Sequence, residues 1–538
     1  MLTQHEREIC LTDTPLSSRV ISESFVETST WRRTREERCS RPLFLRSGGP
    51  FSGFYIHFHS NTNTISTGLP SAKPTQMSVQ TSFLEELLDT DQISYGDSER
   101  KERSTDWGTD EADGVMPDVV VWPESTADVA AVVTAANEHE VPVTPYAAGT
   151  SFEGNAVPVD NGISLDVSRM DAVLEVRPDD LQVDVQPGIL GDDVNETVAE
   201  DDLMLPSLPA SGSIATIGGM IANDSSGTKT VKYGEVADWV LELEVVLPTG
   251  DVVTVGSKAA KTSAGYNLKN LIIGSEGTLG VVTRATFKLT PRPEQIHGGR
   301  AMFEDIDAAT AAIAEVIQSG IDVAKIELID AFSARVSNEY LDTSHPDVPM
   351  VFVEFHADHS ISREVERCRT AFEDHGVRSF DVSEAGPEMD ELWEARSKLG
   401  KAFEPYDPDL SSLAAGDITV PISRYPEIID FAKTLSNEHD IPVATFGHAG
   451  DGNVHYHIMI DPDDPASVAT GETIAERLVE RTIELGGTST GEHGVGTGKR
   501  EYLTNEYNPA TLETMQSIKQ TLDPNGILNP GKIFVDET

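Results

Sequence analysis

The chain has 538 residues, which is too long for one hydrophobic core and predicts two or more domains. Its formal net charge is −50 at pH 7, and so acidic a surface would repel nucleic acid and anionic membranes, which excludes both as expected partners. Because Asp and Glu are spread through well-patterned segments, we expect a folded protein adapted to a cytoplasm of high salt, with a merely very acidic enzyme as the alternative.

The first 76 residues differ in composition from everything that follows. They contain nine Lys/Arg and seven Asp/Glu, whereas the rest of the chain contains 31 Lys/Arg and 83 Asp/Glu. They also hold two of the three cysteines. We therefore expect Met77 to be the physiological start and residues 1–76 to be disordered or a wrongly assigned extension. No apolar run is long enough to span a membrane. A cytoplasmic protein is expected, and peripheral association with the inner face of the membrane is left open.

Residues 77–116 lead into a first domain, for which we expect the bounds 117–293. The run DVVVW at 118–122 predicts a buried strand, and PESTADVAAVVTAANEHE after it predicts a helix with apolar residues along one face. The runs ISLDVSRM, AVLEVRP and LQVDVQPG alternate and predict short strands of a mixed or antiparallel sheet. LELEVVLPTGDVVTV predicts a hairpin that turns at Pro-Thr-Gly-Asp.

A second domain, of the α+β class, is expected over residues 294–505. Its later part, ITVPISRYPEIIDFAKTLSNEHDIPVATFGHAGDGNVHYHIMI, predicts a strand, a helix, a strand, a loop and a strand in that order. The final segment, residues 506–538, contains IKQTLDPNGILNPGKIF, which predicts a helix, a turn and a short strand. We expect this segment to return to the first domain.

Three loops of small residues in the first domain predict nucleotide binding only in combination. PYAAGTSFEGNA at 145–156 lets backbone N–H groups approach phosphate oxygens, but any tight turn is rich in glycine. It lacks the Lys-Ser/Thr pair of a Walker loop, and no GxGxxG follows a first strand as in a Rossmann NAD site. Together with SIATIGGMIANDSSGTKTVKYGEVADWV and IIGSEGTLGVVTRATFKL, it resembles the FAD-binding domain of the vanillyl-alcohol-oxidase (PCMH) type.

This resemblance implies which residues contact FAD. The first loop would hold the pyrophosphate, and the other two loops would hold the adenine, the ribose and the flavin. The implied contacts, including one from the C-terminal LNPGK, are Gly149, Thr150, Ser151, Gly154, Asn155, Ser213, Gly218, Gly219, Asn223, Gly227, Glu276, Gly280, Val281 and Asn529. Some members attach flavin covalently through His or Cys in these loops. This sequence has neither residue there, so we predict non-covalent FAD.

Two glycine-broken stretches rich in histidine and acid predict a metal site. In FGHAGDGNVHYHIMI, strand alternation points His455, His457 and Met459 to one face, and the glycines after His448 allow the loop to fold back. Glu492 of TGEHGVGTGKR would complete a His₂-Glu set with positions left for substrate. Zn²⁺ suits this set, and Mn²⁺ or Fe²⁺ also fits the residue types. The alternative is that the glycines only make turns and the histidines hydrogen-bond within the core.

GHAGDGNVH, TGEHGVG and LDPNGILNPGK together resemble the C-terminal half of the FAD-linked D-2-hydroxyacid dehydrogenases. That family includes D-lactate dehydrogenase, D-2-hydroxyglutarate dehydrogenase and the glycolate oxidase flavoprotein subunit, and the resemblance covers 117–534. It implies a divalent metal on the His₂-Glu set and His493 as the base. LWEARSKLG at 392–400 resembles the family's Trp-x-x-Arg, which implies that Arg396 binds the substrate carboxylate. His457 stands where an amide is common, and its role is left open.

The resemblance implies oxidation of a D-2-hydroxy acid to the 2-oxo acid, with the Cα hydride passing to flavin N5 and the hydroxyl proton to the base. D-lactate is the expected substrate, with glycolate or D-2-hydroxyglutarate as alternatives, because no second cation for a distal carboxylate is evident. The electron acceptor is left open among a quinone, an electron-transfer flavoprotein and an iron–sulfur subunit. Whether the chain forms a homo-oligomer is also left open. The rival functions are an alkylglycerone-phosphate-synthase-like transferase and a flavin- or metal-binding subunit without turnover.

Overall fold

The computed structural model describes residues 81–535 except 342, 385, 404 and 405, so the expectations for Met77 and residues 1–76 lie outside the described residues. Of the helices in the described part, none combines the length and apolar character needed to cross a membrane. The strands before residue 292 are β1 Ile93–Ser94, β2 Val119–Val121, β3 Val143–Tyr146, β4 Ile163–Asp166, β5 Val173–Arg177, β6 Gln182–Val185, β7 Leu203–Met204, β8 Val240–Val246, β9 Val252–Gly256, β10 Val281–Lys288 and β11 Thr290–Pro291. The helices there are α1 Asp97–Glu102, α2 Thr126–Glu138, α3 Gly191–Val198, α4 Ile217–Asn223, α5 Thr230–Tyr233, α6 Val236–Trp239 and α7 Leu268–Ile272.

These strands form sheets of four, five and two strands in the described residues. The four-stranded sheet has the order β1-β2-β4-β3, with β4 parallel to both of its neighbours and β1 antiparallel to β2. The five-stranded sheet has the order β5-β6-β10-β8-β9 and is antiparallel throughout. The predicted combination of mixed and antiparallel pairing is confirmed, as is the β8–β9 hairpin.

Helix α2 illustrates why the local sequence folds as predicted. Ser125 is its N-cap, and the Ser125 side chain accepts a hydrogen bond from the backbone N–H of Asp128. The buried residues Val129, Val132, Val133 and Ala136 recur at helical spacing, so a single face packs on the hydrophobic core. The chain then turns into β3, the strand that leads to the first small-residue loop.

The second region is built on one large antiparallel sheet. Its seven strands have the order β15-β12-β14-β13-β17-β18-β16. They are β12 Gln295–Met302, β13 Lys325–Ile329, β14 Met350–Ala357, β15 Ser379–Glu384, β16 Ser411–Thr419, β17 Val443–Gly447 and β18 Asn453–Ile460. The helices are α8 Ile306–Gln318, α9 Ala331–Leu341, α10 Ile361–Asp374, α11 Pro387–Ala402, α12 Tyr425–His439 and α13 Pro465–Glu484.

The two faces of this sheet belong to different hydrophobic clusters, because alternate residues of a strand point to opposite sides. On β18, Val454, Tyr456 and Ile458 join the cluster that contains residues of α8, α10, α12 and α13. Met459 joins the opposite cluster, with residues of α9 and α11. The predicted alternation along NVHYHIMI is therefore confirmed, and His455 and His457 lie on the α11 side.

The last segment contains α14 Leu503–Glu506 and α15 Pro509–Leu522 and then lies against the first region. The backbone N–H of Val143 on β3 donates to the carbonyl of Ile527, and the backbone N–H of Asn529 donates to the carbonyl of Val143, each at 2.8 Å. The predicted short strand after α15 is absent from the described residues, where a single bridge between Val143 and Leu528 replaces it. The reason is local: Asp523 accepts the backbone N–H groups of Ile527 and Leu528 at 3.0 and 2.9 Å.

Candidate active site

His448, His455 and Glu492 converge on one point, as the sequence predicts for a metal site. The Nε2 atoms of the two histidines lie 3.5 Å apart, and Oε1 of Glu492 lies 3.3 Å from His448 Nε2 and 3.2 Å from His455 Nε2. Zn²⁺ bonds of about 2.0–2.1 Å at tetrahedral angles separate neighbouring ligand atoms by about 3.4 Å. These three atoms, called the ligand triangle below, are therefore spaced to fit a divalent cation. Among the described residues, His448, His455 and Glu492 form the one cluster of three His, Cys, Asp or Glu side chains close enough together to hold a metal ion.

The loop between β17 and β18 brings the two histidines together. Gly447 and Gly452 have φ of +147° and +87°, and the backbone N–H of Asn453 donates back to the carbonyl of His448 at 3.2 Å. A Cβ atom on Gly452 would lie 2.0 Å from the carbonyl oxygen of Val420, so only glycine fits there. The fold-back that the sequence predicted thus rests on left-handed backbone and close packing.

A buried carboxylate behind His448 was missed by the sequence reasoning. Glu327 of β13 lies 2.7 Å, through Oε1, from His448 Nδ1, and its Oε2 accepts from Arg396 Nε at 2.8 Å. Arg396 Nη2 lies 2.6 Å from the same oxygen in an ion-pair contact. Burial alone would raise the pKa of Glu327, but Arg396 and His448 outweigh it and hold that pKa below its ordinary value.

A second missed carboxylate, Asp417 of β16, holds the loop that carries Glu492. Its Oδ2 accepts three successive backbone N–H groups, from Gly491, Glu492 and His493, at 2.8, 2.8 and 3.0 Å. Its Oδ1 accepts from Asn453 Nδ2 at 2.6 Å. Glu327 and Asp417 are each the one acidic residue of their strand, but in the sequence this pattern is equally typical of a solvent-facing position.

The first region also contacts this loop directly. Asn223 Nδ2, at the end of α4, donates to the carbonyl of His493 at 3.0 Å. Ser226 Oγ lies 3.3 Å from Glu492 Oε2 and donates to it. Asn223, predicted to line the dinucleotide, is thereby placed between the small-residue loop and the ligand triangle.

His493 lies beside the ligand triangle rather than in it. Its ring stacks on Phe152 at 4.6 Å and on His455 at 5.7 Å between centroids. Its Nδ1 is buried, 3.8 Å from Glu153 Oε1 and 4.0 Å from Asp417 Oδ2, and makes no hydrogen bond to a described residue. Burial lowers the pKa of His493, but the two carboxylates outweigh it and raise that pKa above its ordinary value.

His457, whose role the sequence left open, sits in an aromatic stack on the same sheet face. Its ring is 4.4 Å from Phe403 and 5.7 Å from Phe446, nearly parallel to both. Its Nδ1 is 2.8 Å from Ser412 Oγ. Burial lowers the pKa of His457 to about 3, so the ring is neutral at physiological pH.

The first small-residue loop, after β3, presents unbonded backbone donors. The N–H groups of Ala148, Gly149, Thr150 and Ser151 donate to no acceptor among the described residues. Gly149 has a φ of +63°, and a Cβ there would lie 2.2 Å from the Tyr146 hydroxyl. Successive free N–H groups around a left-handed residue form a concave anion-binding site, so this loop fits the predicted pyrophosphate.

Three residues predicted to contact FAD are hydrogen-bonded to one another. Asn155 Nδ2 donates to Glu276 Oε2 at 2.7 Å, and the same carboxylate accepts the backbone N–H groups of Val495 and Gly496 at 2.7 and 2.8 Å. Asn529 Nδ2 donates to the carbonyls of Glu276 and Asn155. These side chains join the first region, the TGEHGVG loop and the C-terminal segment, and their contact with cofactor stays a prediction.

The other predicted cofactor contacts are spread over the second and third loops. Gly218 and Gly227 pack against Pro187 and Pro209, where a Cβ would lie 2.8 Å from proline atoms. Ser213 and Gly219 are exposed, whereas Gly154, Gly280 and Val281 are buried. The unbonded N–H groups of the first loop include those of Gly149, Thr150 and Ser151, and cofactor contact at all of the predicted positions stays a prediction.

The fold and this site together define an FAD-linked oxidoreductase. Residues 117–256 match the family model described as "FAD binding domain", and residues 292–533 match "FAD linked oxidases, C-terminal domain". The chain is 35% identical to a probable mitochondrial D-lactate dehydrogenase of Danio rerio, over 78% of this chain and 84% of the relative. It is 35% identical to the glycolate oxidase subunit GlcD of Bacillus subtilis (strain 168), over 78% and 90%. The chain belongs to the FAD-linked oxidase family of D-lactate dehydrogenases and glycolate oxidase subunits.

Solved structures show the same fold at low sequence identity. p-Cresol methylhydroxylase superposes with a TM-score of 0.69 at 18% identity, covering 85% of this chain and 96% of that one. An alkyldihydroxyacetonephosphate synthase superposes with a TM-score of 0.67 at 19% identity, covering 88% and 90%. The predicted FAD-binding fold of the vanillyl-alcohol-oxidase type is confirmed. The likeness to the synthase concerns the fold alone and does not carry over its reaction.

Proposed function

We propose that this chain oxidises a D-2-hydroxy acid to the 2-oxo acid in a reaction that depends on FAD and a divalent metal. D-lactate is the proposed substrate. The observation that carries the proposal is the ligand triangle of His448, His455 and Glu492, with atoms 3.2–3.5 Å apart and His493 stacked beside it. The names of the relatives, D-lactate dehydrogenase and glycolate oxidase subunit, support the substrate class.

The ligand triangle is the proposed metal site. His448 and His455 would bind through Nε2 and Glu492 through Oε1, and Zn²⁺, Mn²⁺ or Fe²⁺ accepts such a set. When bound, the cation supplies a positive charge that lowers the pKa of a substrate hydroxyl. Three protein ligands leave positions for that hydroxyl and the adjacent carboxylate oxygen.

His493 is the proposed base for the hydroxyl proton. Its ring stacks 5.7 Å from His455 beside the ligand triangle, and its buried Nδ1 faces the carboxylates of Glu153 and Asp417 at 3.8 and 4.0 Å. The neighbouring carboxylates raise the pKa of His493, but that pKa falls when a cation occupies the ligand triangle, because like charges repel. The neutral imidazole that a base requires is thereby favoured in the loaded enzyme.

Arg396 is the proposed partner of the substrate carboxylate. Its Nε donates to Glu327 Oε2, and its Nη2 lies 2.6 Å from the same oxygen in an ion-pair contact. A guanidinium carries five N–H donors, more than this one oxygen accepts, and it binds carboxylates through paired hydrogen bonds. FAD, held non-covalently, supplies the acceptor for the Cα hydride. The later electron acceptor stays a choice among a quinone, an electron-transfer flavoprotein and an iron–sulfur partner.

A substrate panel tests the proposal. The purified chain, in about 2 M KCl, which reduces repulsion among its acidic groups, is mixed anaerobically with D-lactate, L-lactate, glycolate or D-2-hydroxyglutarate. We expect D-lactate, and not L-lactate, to bleach the visible absorption of the flavin. Faster bleaching by glycolate or D-2-hydroxyglutarate would move the substrate assignment within the same reaction class.

A chelator and one variant test the mechanism. We expect His493→Ala to slow bleaching about 10²–10⁴-fold, the usual contribution of a positioned base, and metal removal by dipicolinate to slow it as well. His375→Ala, at a histidine paired with Glu315 at the end of α10, is the control and should bleach at the wild-type rate. If chelation and His493→Ala both leave the rate unchanged, the mechanism is wrong.

A further inference from the structure

We propose that Glu327 is a positioning residue that fixes His448 as a metal ligand and ties that ligand to Arg396. This inference rests on the proposed function of the ligand triangle as a metal site. The Glu327 side chain is fully buried on β13, and each of its two oxygens contacts a different partner. It contacts none of the three ligand atoms, so its effect acts through His448.

The first effect is on the tautomer of His448. An ionised carboxylate only accepts hydrogen bonds, so Nδ1 of His448, 2.7 Å from Glu327, must carry the hydrogen. Nε2 of a neutral ring then presents its lone pair to the triangle, where it lies 3.3 Å from Glu492 and 3.5 Å from His455 Nε2. Carboxylates behind metal-bound histidines commonly orient the ring in this way and raise its basicity.

The second effect is on Arg396. The same Glu327 carboxylate accepts from Arg396 Nε, while the guanidinium lies over the Phe446 ring, 5.0 Å from its centroid. A buried carboxylate needs such a charged partner to stay ionised. One residue of β13 therefore sets the position of the metal ligand and of the proposed carboxylate-binding group together.

Glu354 offers a matched comparison on the neighbouring strand, β14. It too is buried between a histidine and a cation, His356 Nε2 at 2.7 Å and Lys325 Nζ at 3.0 Å. The other nitrogen of His356 is already bonded to the Tyr233 hydroxyl at 2.8 Å. That histidine therefore has no free nitrogen for a metal, although the chemistry of the carboxylate is the same.

The test measures Zn²⁺ binding to the FAD-loaded full chain by competition with a chromogenic chelator. We expect Glu327→Gln to weaken Zn²⁺ affinity about 10–100-fold, the usual effect of losing such a partner, with FAD content unchanged. Glu354→Gln should keep wild-type Zn²⁺ affinity, even if both variants unfold at a lower temperature. Wild-type affinity in Glu327→Gln, or equal weakening in both variants, would overturn the inference.

Two further outcomes separate this inference from the proposed function. If the wild-type chain binds no Zn²⁺, Co²⁺ or Mn²⁺, the metal site itself fails, and the role of Glu327 fails with it. If Glu327→Gln does not fold, Glu327→Asp replaces it, because it keeps the charge but withdraws the oxygens from His448. Weakened Zn²⁺ binding is again expected for Glu327→Asp, and unchanged binding would refute the inference.

Discussion

Asp417 organises the loop that carries both a proposed metal ligand and the proposed base. Its side chain is fully buried and accepts three consecutive backbone N–H groups, so the loop has one fixed path at Glu492 and His493. Burial alone would raise the pKa of Asp417, but His493, Lys499 and the other donors outweigh it and hold that pKa well below its ordinary value.

We expect Asp417→Asn to destabilise the chain by about 3–5 kcal/mol, the usual cost of breaking a buried charged pair. The Asn amide would place its own N–H donors against backbone N–H donors that the Asp417 carboxylate accepts in the wild type. The pKa of Asp417 is lower in the folded chain than in the unfolded chain, where it is about 3.9. The ionised carboxylate therefore adds to the free energy of unfolding above about pH 3.9, and this stabilisation is lost as the pH falls from there through the folded-state pKa. Urea unfolding of both proteins at several pH values checks this, and an equal pH dependence below about pH 4 would contradict it.

The residues found from sequence and those missed differ in their surroundings. His448, His455 and Glu492 were predicted because rare residue types cluster around glycines. Glu327 and Asp417 were not, because one acidic residue in a strand looks solvent-facing, and a chain with 90 acidic residues offers many such positions. Their burial becomes visible only when the sheet places them against a buried cation or a row of N–H groups.

At the scale of elements, the loop after β3 depends on left-handed backbone at Gly149. We expect Gly149→Ala to lower FAD retention, because the new Cβ meets the Tyr146 hydroxyl and displaces the free N–H groups. Gly320→Ala is a matched control, since that glycine also has a φ of +63° but nothing within 4 Å of a Cβ.

The expected cost of the backbone strain is about 1–2 kcal/mol in each variant. Thermal unfolding measures this shared loss, and gel filtration followed by flavin absorbance measures retention. Equal FAD loss in both variants would show that the loop is not the phosphate site.

The C-terminal segment shows where pattern reading fails for an element. The sequence predicts a short strand after α15, yet Asp523 accepts the N–H groups of Ile527 and Leu528 that a sheet would otherwise use. Side-chain competition for backbone donors is typical of Asp and cannot be told from a turn by residue type alone. The helix before it, with its Asn508 N-cap and Pro509, was predictable.

At the scale of the whole molecule, a net charge of −50 makes stability depend on salt. Screening shortens the reach of repulsion from about 10 Å at 0.1 M salt to about 3 Å at 1 M. We expect the melting temperature to rise between about 0.1 M and 2 M KCl, by about 2 °C if the gain in stability reaches about 2 kcal/mol, because the unfolding entropy of so long a chain is about 1 kcal/mol/K. Differential scanning calorimetry with KCl and choline chloride checks this. An unchanged melting temperature in both salts would contradict adaptation to high salt.

The return of the C-terminal segment to β3 has a consequence for how the chain is made. Val143 receives its partners Ile527 and Asn529 only after the intervening second region has left the ribosome. Domains generally fold as units in the order of synthesis, but here the earlier unit is completed by residues translated after the whole second region. The seven-stranded sheet can therefore be fully paired while the nascent nucleotide-binding unit still lacks its final partner.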